Sequence, residues 1–149
     1  MLKNIPSIIS PELLAVLDEM GHGDRICIGD GNFPGASMSS EGAILVRADG
    51  HGVADLLDAI LQLIPLDEYV ETPCMVMEIT PSDKEKGVTA PIIDEYKKIV
   101  AKYDERGAKT FGEYERFEFY EQAKKCYCIL QSGESRIYAN IILQKGVVK

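Results

Sequence analysis

Ala43-Ile44-Leu45-Val46, then Val53-Ala54-Asp55-Leu56-Leu57-Asp58-Ala59-Ile60-Leu61-Gln62-Leu63-Ile64, then Cys74-Met75-Val76-Met77-Glu78-Ile79 decide the fold class. The first run is short and apolar, as a buried strand is. In the second, Val53, Leu56, Leu57, Ile60 and Ile64 recur on one side at helical spacing, and Pro65 ends the pattern. The third is apolar at nearly every position, which marks a strand covered on both faces. Strand, helix and strand at this separation predict a parallel crossover. The expectation is an α/β fold: a single domain over residues 1–149, with a mostly parallel central sheet flanked by helices. Arg47-Ala48-Asp49-Gly50-His51-Gly52 joins strand to helix as a polar, glycine-rich connection, and His51 is read as part of that turn.

Toward the N-terminus, Ser10-Pro11-Glu12 opens a helix with a capping hydroxyl, a proline whose missing N–H does no harm there, and a carboxylate near the positive end. Leu13, Leu14, Leu17 and Met20 form its core face, and Gly21 is expected to close it in a left-handed conformation. His22 follows between two glycines. Arg25 to Ile28 reads as a strand, with Asp30 at its carboxyl end between Gly29 and Gly31. Fully extended backbone would hold His22 and Asp30 more than about 15 Å apart, at roughly 3.3 Å per residue. The glycines offer a folded-back path that brings them together. Residues 32–42 are rich in turn formers and predict a loop beside a strand end.

Toward the C-terminus, residues 81–89 predict a charged, mobile loop. Pro91 starts a helix with Ile92, Tyr96, Ile99 and Tyr103 in register, closed by Gly107. Residues 113–123 read as a short strand turning into a helix. Tyr127–Leu130 and Asn140–Leu143 are the last strands, with Ser132-Gly133-Glu134 as the turn between them. On such a strand Tyr138 and Asn140, two apart, would face the same side.

Composition excludes several classes of function. Sixteen basic against 24 acidic residues give a net charge of −8, which disfavours a nucleic-acid backbone or an anionic membrane as partner. Four cysteines, Cys27, Cys74, Cys126 and Cys128, lie mostly in apolar runs without a CxxC pair, as expected of reduced, buried thiols in a cytoplasmic protein. Met1-Leu2-Lys3-Asn4-Ile5-Pro6 lacks the continuous apolar core of a signal peptide and nowhere do about 18 apolar residues run unbroken, so a soluble protein is expected. Gly29-Asp30-Gly31 begins like a dinucleotide fingerprint, but the next glycine, Gly35, is misplaced behind Pro34. With His22 and His51 as the only histidines, no metal-binding spacing occurs, and neither metal nor cofactor is expected.

Acid–base chemistry remains. His22 brings an imidazole, a side chain that can give and take a proton, and the Asp30 carboxylate suits it as partner or as ligand to a hydroxyl. The plainer reading has His22 ending the helix and Asp30 satisfying turn amides. Tyr138 and Asn140 offer a phenol and an amide suited to sugar hydroxyls, or else ordinary edge-strand and turn residues. Arg116, beside Phe117, Phe119 and Tyr120, is either a ligand-facing cation or a solvated one.

Several stretches, in order, carry a family resemblance. They are Leu2-Lys3 with Ile9-Ser10-Pro11-Glu12-Leu13-Leu14, Glu19-Met20-Gly21-His22-Gly23-Asp24, Asp30 with Phe33-Pro34, and Arg47-Ala48-Asp49-Gly50. Arg116-Phe117-x-Phe119-Tyr120-Glu121-x-Ala123, Ser132-Gly133-Glu134, Tyr138-Ala139-Asn140-Ile141-Ile142-Leu143 and Lys145-Gly146-Val147 complete the set. Together they resemble the L-fucose mutarotase and D-ribose pyranase family, of the RbsD/FucU type, and look like its fucose branch. The resemblance implies an isomerase that interconverts the α and β anomers of a free monosaccharide without a cofactor. It implies His22 as proton donor, acting with Asp30 as the catalytic pair. Asp30, Arg116 and Tyr138 to Asn140 would hold the sugar, with Tyr120 also in contact. It further implies a ring-shaped homo-oligomer, decameric in bacterial members. D-ribose pyranase activity, or a non-catalytic sugar-binding accessory of an uptake system, are the alternatives. Two departures stand out: Asn32 replaces a histidine of some relatives, and an insert around Ser82 to Val88 lengthens a charged loop.

Overall fold

The computed structural model describes residues 1–149. Helix α1 (Pro11–Glu19) leads into β1 (Arg25–Gly29), then a four-residue helix α2 (Gly35–Met38), β2 (Ile44–Ala48), α3 (Val53–Leu61) and β3 (Cys74–Met77). After these come α4 (Pro81–Glu85), α5 (Ile92–Ala101), β4 (Phe111–Tyr114), α6 (Arg116–Lys124), β5 (Cys128–Ser132) and β6 (Ile141–Gln144). All six strands form one sheet in the order β2-β5-β1-β6-β3-β4. β1, β2 and β5 are mutually parallel, as are β3 and β4, while β6 runs against both its neighbours. The α/β fold with a mostly parallel sheet is therefore as the 43–79 crossover predicts. β2 and β3 are not neighbours, because β5, β1 and β6 are laid down between them.

Period-2 alternation divides the strand residues between two cores. Ile26, Ile28, Cys128, Leu130, Ile141 and Leu143 pack with α1, α3 and α5, whereas Cys27, Ile129 and Ile142 face Phe119 and Ala123 of α6. Burial on both faces is what selects continuous apolar strands. Burial also raises the thiols: Cys27 lies well above its ordinary value, and Cys74, Cys126 and Cys128 are pushed up to about 12. All four are free and buried, so they behave as small apolar groups. No helix is long and apolar enough to cross a membrane.

Four local expectations are corrected. Gly21 does not take the left-handed conformation after α1; Gly23 does, at φ 88°. The segment 32–42 is not a plain loop. It contains α2 and a 3₁₀ turn, Ser39–Glu41, and Gly35 is tucked so closely against Gln131 that a Cβ would lie 2.4 Å from its Oε1. Residues 81–85 form α4, capped by the Thr80 hydroxyl on Asp83 N–H. Residues 132–134 do not turn β5 back onto β6, since β1 lies between them. They cross the end of the sheet instead, with Gly133 N–H on His51 C=O and Glu134 C=O on Gly31 N–H.

Candidate functional site

At the carboxyl end of β1, buried hydrogen bonds fix one carboxylate. Gln131 Nε2 donates to Asp30 C=O at 2.7 Å, and Ser132 Oγ donates to Gly29 C=O at 2.6 Å. Asp30 N–H donates to Asn140 Oδ1 at 2.8 Å, while its carboxylate accepts from Asn32 N–H at 3.0 Å and Ala139 N–H at 3.3 Å. Tyr96 of α5 completes the clamp, its phenol donating to Ala139 C=O at 2.7 Å. The segment before β6 is thus tied to β1 and to a core helix. Within it Tyr138 has φ 55°, a left-handed conformation uncommon for a tyrosine.

A cavity of about 410 Å³ opens beside these residues, within the size range of small-molecule sites. Asp30, Arg116, Tyr120, Tyr138 and Asn140 all line it. Five predicted site residues thus converge although they are spread over three parts of the chain. Tyr138 and Asn140 do so from the loop preceding β6, not from a strand as expected. Arg116, the first residue of α6, lies 5.8 Å from the Tyr120 ring centre and 5.4 Å from that of Phe117. Phe33 supports Tyr120, with ring centres 5.9 Å apart. The cavity lies beyond the carboxyl ends of β1 and β3, where open α/β sheets place their ligands.

Burial pushes the Asp30 carboxyl above its ordinary value, and the Glu134 charge adds to this against the opposing N–H groups of Asn32, Ala139 and Phe33. Such a carboxyl is a better match to proton transfer near neutral pH than an exposed aspartate. Asn140 has its carbonyl oxygen committed to Asp30, which leaves its amide N–H groups as donors.

His22 lies elsewhere. The glycines do not fold the chain back: β1 runs straight between the two residues, and its antiparallel register with β6 puts Asp30 beside Asn140 and the two residues after His22, Gly23 and Asp24, beside Lys145. The expected pairing of His22 with Asp30 in one pocket therefore does not occur within a single chain. The His22 Nε2 is 3.1 Å from Asp67 Oδ1, and the ring lies 5.3 Å from that of Tyr69. Burial acts to raise the Asp67 carboxyl, but Tyr69 N–H, the Gln144 amide and His22 outweigh it and hold it below its ordinary value.

Sequence reasoning overlooked Asp67, and it overlooked Thr80, Ser82 and Asp83, which form a wall of the cavity. A signal for the latter was present. Thr80-Pro81-Ser82-Asp83 is a capping hydroxyl, a proline at the first helical position and an acidic residue three beyond the cap. Ser10-Pro11-Glu12 opens α1 with the same hydroxyl–proline pair and an acidic residue in the first turn.

Residues 3–148 match the model of the RbsD / FucU transport protein family. The chain belongs to this family. Among RbsD/FucU relatives, the human protein named fucose mutarotase is 48% identical over 147 residues, covering 99% of this chain and 94% of its own. The crystal structure of FucU from Bifidobacterium longum superposes with a TM-score of 0.94 at 56% identity, covering 99% of this chain and all of the other. The fucose mutarotase of Streptococcus pneumoniae, solved in complex with L-fucose, superposes at 0.89 with 43% identity and the same coverage.

Proposed function

We propose that the protein is an L-fucose mutarotase, a carbohydrate isomerase that opens and recloses the ring of the free sugar by general acid–base catalysis. The observation that carries this reading is the convergence of Asp30, Arg116, Tyr120, Tyr138 and Asn140 on one cavity. It is supported by 48% identity to a protein named fucose mutarotase. Mutarotation removes a proton from the anomeric hydroxyl and delivers one to the ring oxygen, after which the aldehyde turns and recloses. Both steps move protons between oxygens, and a positioned acid–base pair typically contributes about 10²- to 10⁴-fold, roughly 3–5 kcal/mol. Arg116 brings five guanidinium donors that span adjacent hydroxyls, Asn140 donates its amide N–H, and Asp30 accepts.

His22, the proton donor in this reading, must then come from a second copy of the chain. It sits at one end of β1 and the cavity at the other, so the contact is head-to-tail and closes into a ring when the rotation permits. Exposed apolar side chains mark both ends: Tyr69 beside His22, and Ile137 and Phe117 beside the cavity. We propose a homo-oligomer of this type, a decamer as the family resemblance implies, acting in the cytoplasm as a single-domain protomer.

Saturation-transfer NMR on equilibrated L-fucose and D-ribose tests the activity. Faster anomer exchange with fucose supports it, preferential exchange with ribose points to the pyranase, and binding without exchange points to a sugar-binding accessory. Mixing inactive His22→Ala and Asp30→Asn proteins after dissociation tests the assembly. Random head-to-tail association leaves about a quarter of the sites intact, so activity should return to that order. If mixing restores nothing, the shared site is wrong.

A further inference from the structure

The charged stretch after β3 supplies a group that the reaction described above does not use. Helix α4 holds Asp83 at the cavity wall, and Tyr138 Oη donates to Asp83 Oδ2 at 2.6 Å. On its other side the phenol oxygen meets Thr80 N–H at 3.3 Å and Thr80 Oγ1 at 3.2 Å. A phenol has one proton, and here it points at the carboxylate. With one lone pair turned to Thr80 N–H, the other is what Tyr138 offers to a hydroxyl in the cavity, so this residue receives a proton from a sugar rather than giving one. Thr80 keeps the carboxylate in place, because its Oγ1 also accepts from Asp83 N–H. The left-handed backbone at Tyr138 is held at both ends, by this contact at the phenol and by Ala139 N–H on Asp30 in the main chain.

We infer that Asp83 is a positioning residue of the mutarotase reaction, the terminal acceptor of a two-step relay that removes the anomeric proton through Tyr138. The inference rests on the mutarotase reading. In ring opening, the anomeric O–H bond breaks and its proton joins the Tyr138 oxygen as the phenolic proton passes to Asp83. The electron pair of that O–H bond forms the aldehyde C=O, the bond from the anomeric carbon to the ring oxygen breaks, and the ring oxygen takes a proton from the donor acid. Closure runs the same transfers backward, so Asp83 ends as a carboxylate and no electrons leave the sugar. Arg116 lines the same cavity as Tyr138 and Asp83.

The test is a double-mutant cycle on the full chain, read by fucose anomer exchange and by thermal melting. Asp83→Asn retains a hydrogen-bond acceptor for Tyr138 but cannot take its proton. Exchange at saturation should fall about 10- to 100-fold with KM changed less than about threefold. Tyr138→Phe should lose a similar factor, and the double variant should be no slower than the worse single one, since both changes break one relay. Asp83→Asn with exchange within about twofold of the unmodified chain, or losses that multiply in the double variant, would overturn the relay. Those results leave the mutarotase reading standing. An unmodified chain that fails to exchange fucose anomers would remove both.

Discussion

The two ends of β1 are built by opposite strategies. At the carboxyl end Asp30 is buried, tied by its backbone and side chain to five other residues, and set in the wall of a cavity. At the amino end the His22 side chain is 45% exposed and meets one buried carboxylate, Asp67. In the proposed shared site, the side chain fixed this tightly lines the cavity of its own protomer, and the one left open reaches the cavity of a neighbour. Asp30→Asn breaks the closed end with little disturbance of shape. Exchange should fall by about 10²- to 10⁴-fold in an NMR assay, with the fold retained. A well-folded variant at full activity would remove Asp30 from the catalytic machinery.

The open end is probed by His22→Ala, which should cost about one to three decades of exchange. Its melting temperature should stay close to that of the unmodified chain, because surface substitutions away from packed features usually change stability by about 0.5 kcal/mol or less. Asp67→Asn sharpens the contrast. If Asp67 orients the imidazole, as a carboxylate on one ring nitrogen does, its loss should lower exchange without touching the cavity residues in the same protomer. Unchanged exchange in folded Asp67→Asn would assign the contact to structure alone.

The same contrast explains how much was legible in the sequence. The sheet and its main helices followed from local pattern: the Leu13, Leu17 and Met20 face of α1, the Pro65 stop after α3, and the unbroken apolar run of β3 are all short-range signals. Asp30, Arg116, Tyr138 and Asn140 stood out singly by their chemistry, but their grouping with Tyr120 into one site was legible only as a family pattern, since hydrogen bonds such as Asp30 to Asn140 span more than a hundred residues. The error over His22 came from treating glycine as evidence for a fold-back. Gly21 and Gly23 permit a reversal, but the direction of β1 is set by its pairing with β5 and β6, which no local stretch encodes. Helix α4 was missed because its charged composition outweighed its capping residues in the reading. Asp67 gave no signal at all, for its role depends on a ring 45 residues away.

Arg116 is the exposed member of the closed end and should separate binding from proton transfer. Arg116→Ala should raise KM by about tenfold while changing exchange at saturation much less, as expected for a residue that holds ground state and transition state alike. Arg116→Lys should recover only part of this, because an ammonium cannot span two hydroxyls as a planar fork does. An unaltered saturation curve for Arg116→Ala would return the residue to the solvated role.

Within the closed end, two buried carboxylates are shifted in opposite directions, and this yields the smallest predicted effect. Burial raises Asp30. Burial acts on Glu134 in the same sense, but the Arg136 side chain and N–H and the Val53 N–H overcome it and hold that carboxyl below its ordinary value. Gly52 has no side chain to cap α3, and Glu134 Oε2 fills that place from across the fold by accepting from Val53 N–H at 3.3 Å. A carboxyl depressed on folding adds stability above its unfolded value, near pH 4.5, and loses it as pH falls through the folded value. Glu134→Gln should therefore cost about 1–3 kcal/mol at neutral pH and flatten the decline in stability below about pH 4.5, read as denaturation midpoints in a pH series. Asp30→Asn has the opposite sign: a carboxyl raised on folding stabilises only while protonated, so replacing it should leave neutral-pH stability equal or slightly higher. If both variants lost stability at neutral pH by the same amount, the division between a carboxylate kept for chemistry and one kept for the fold would fail.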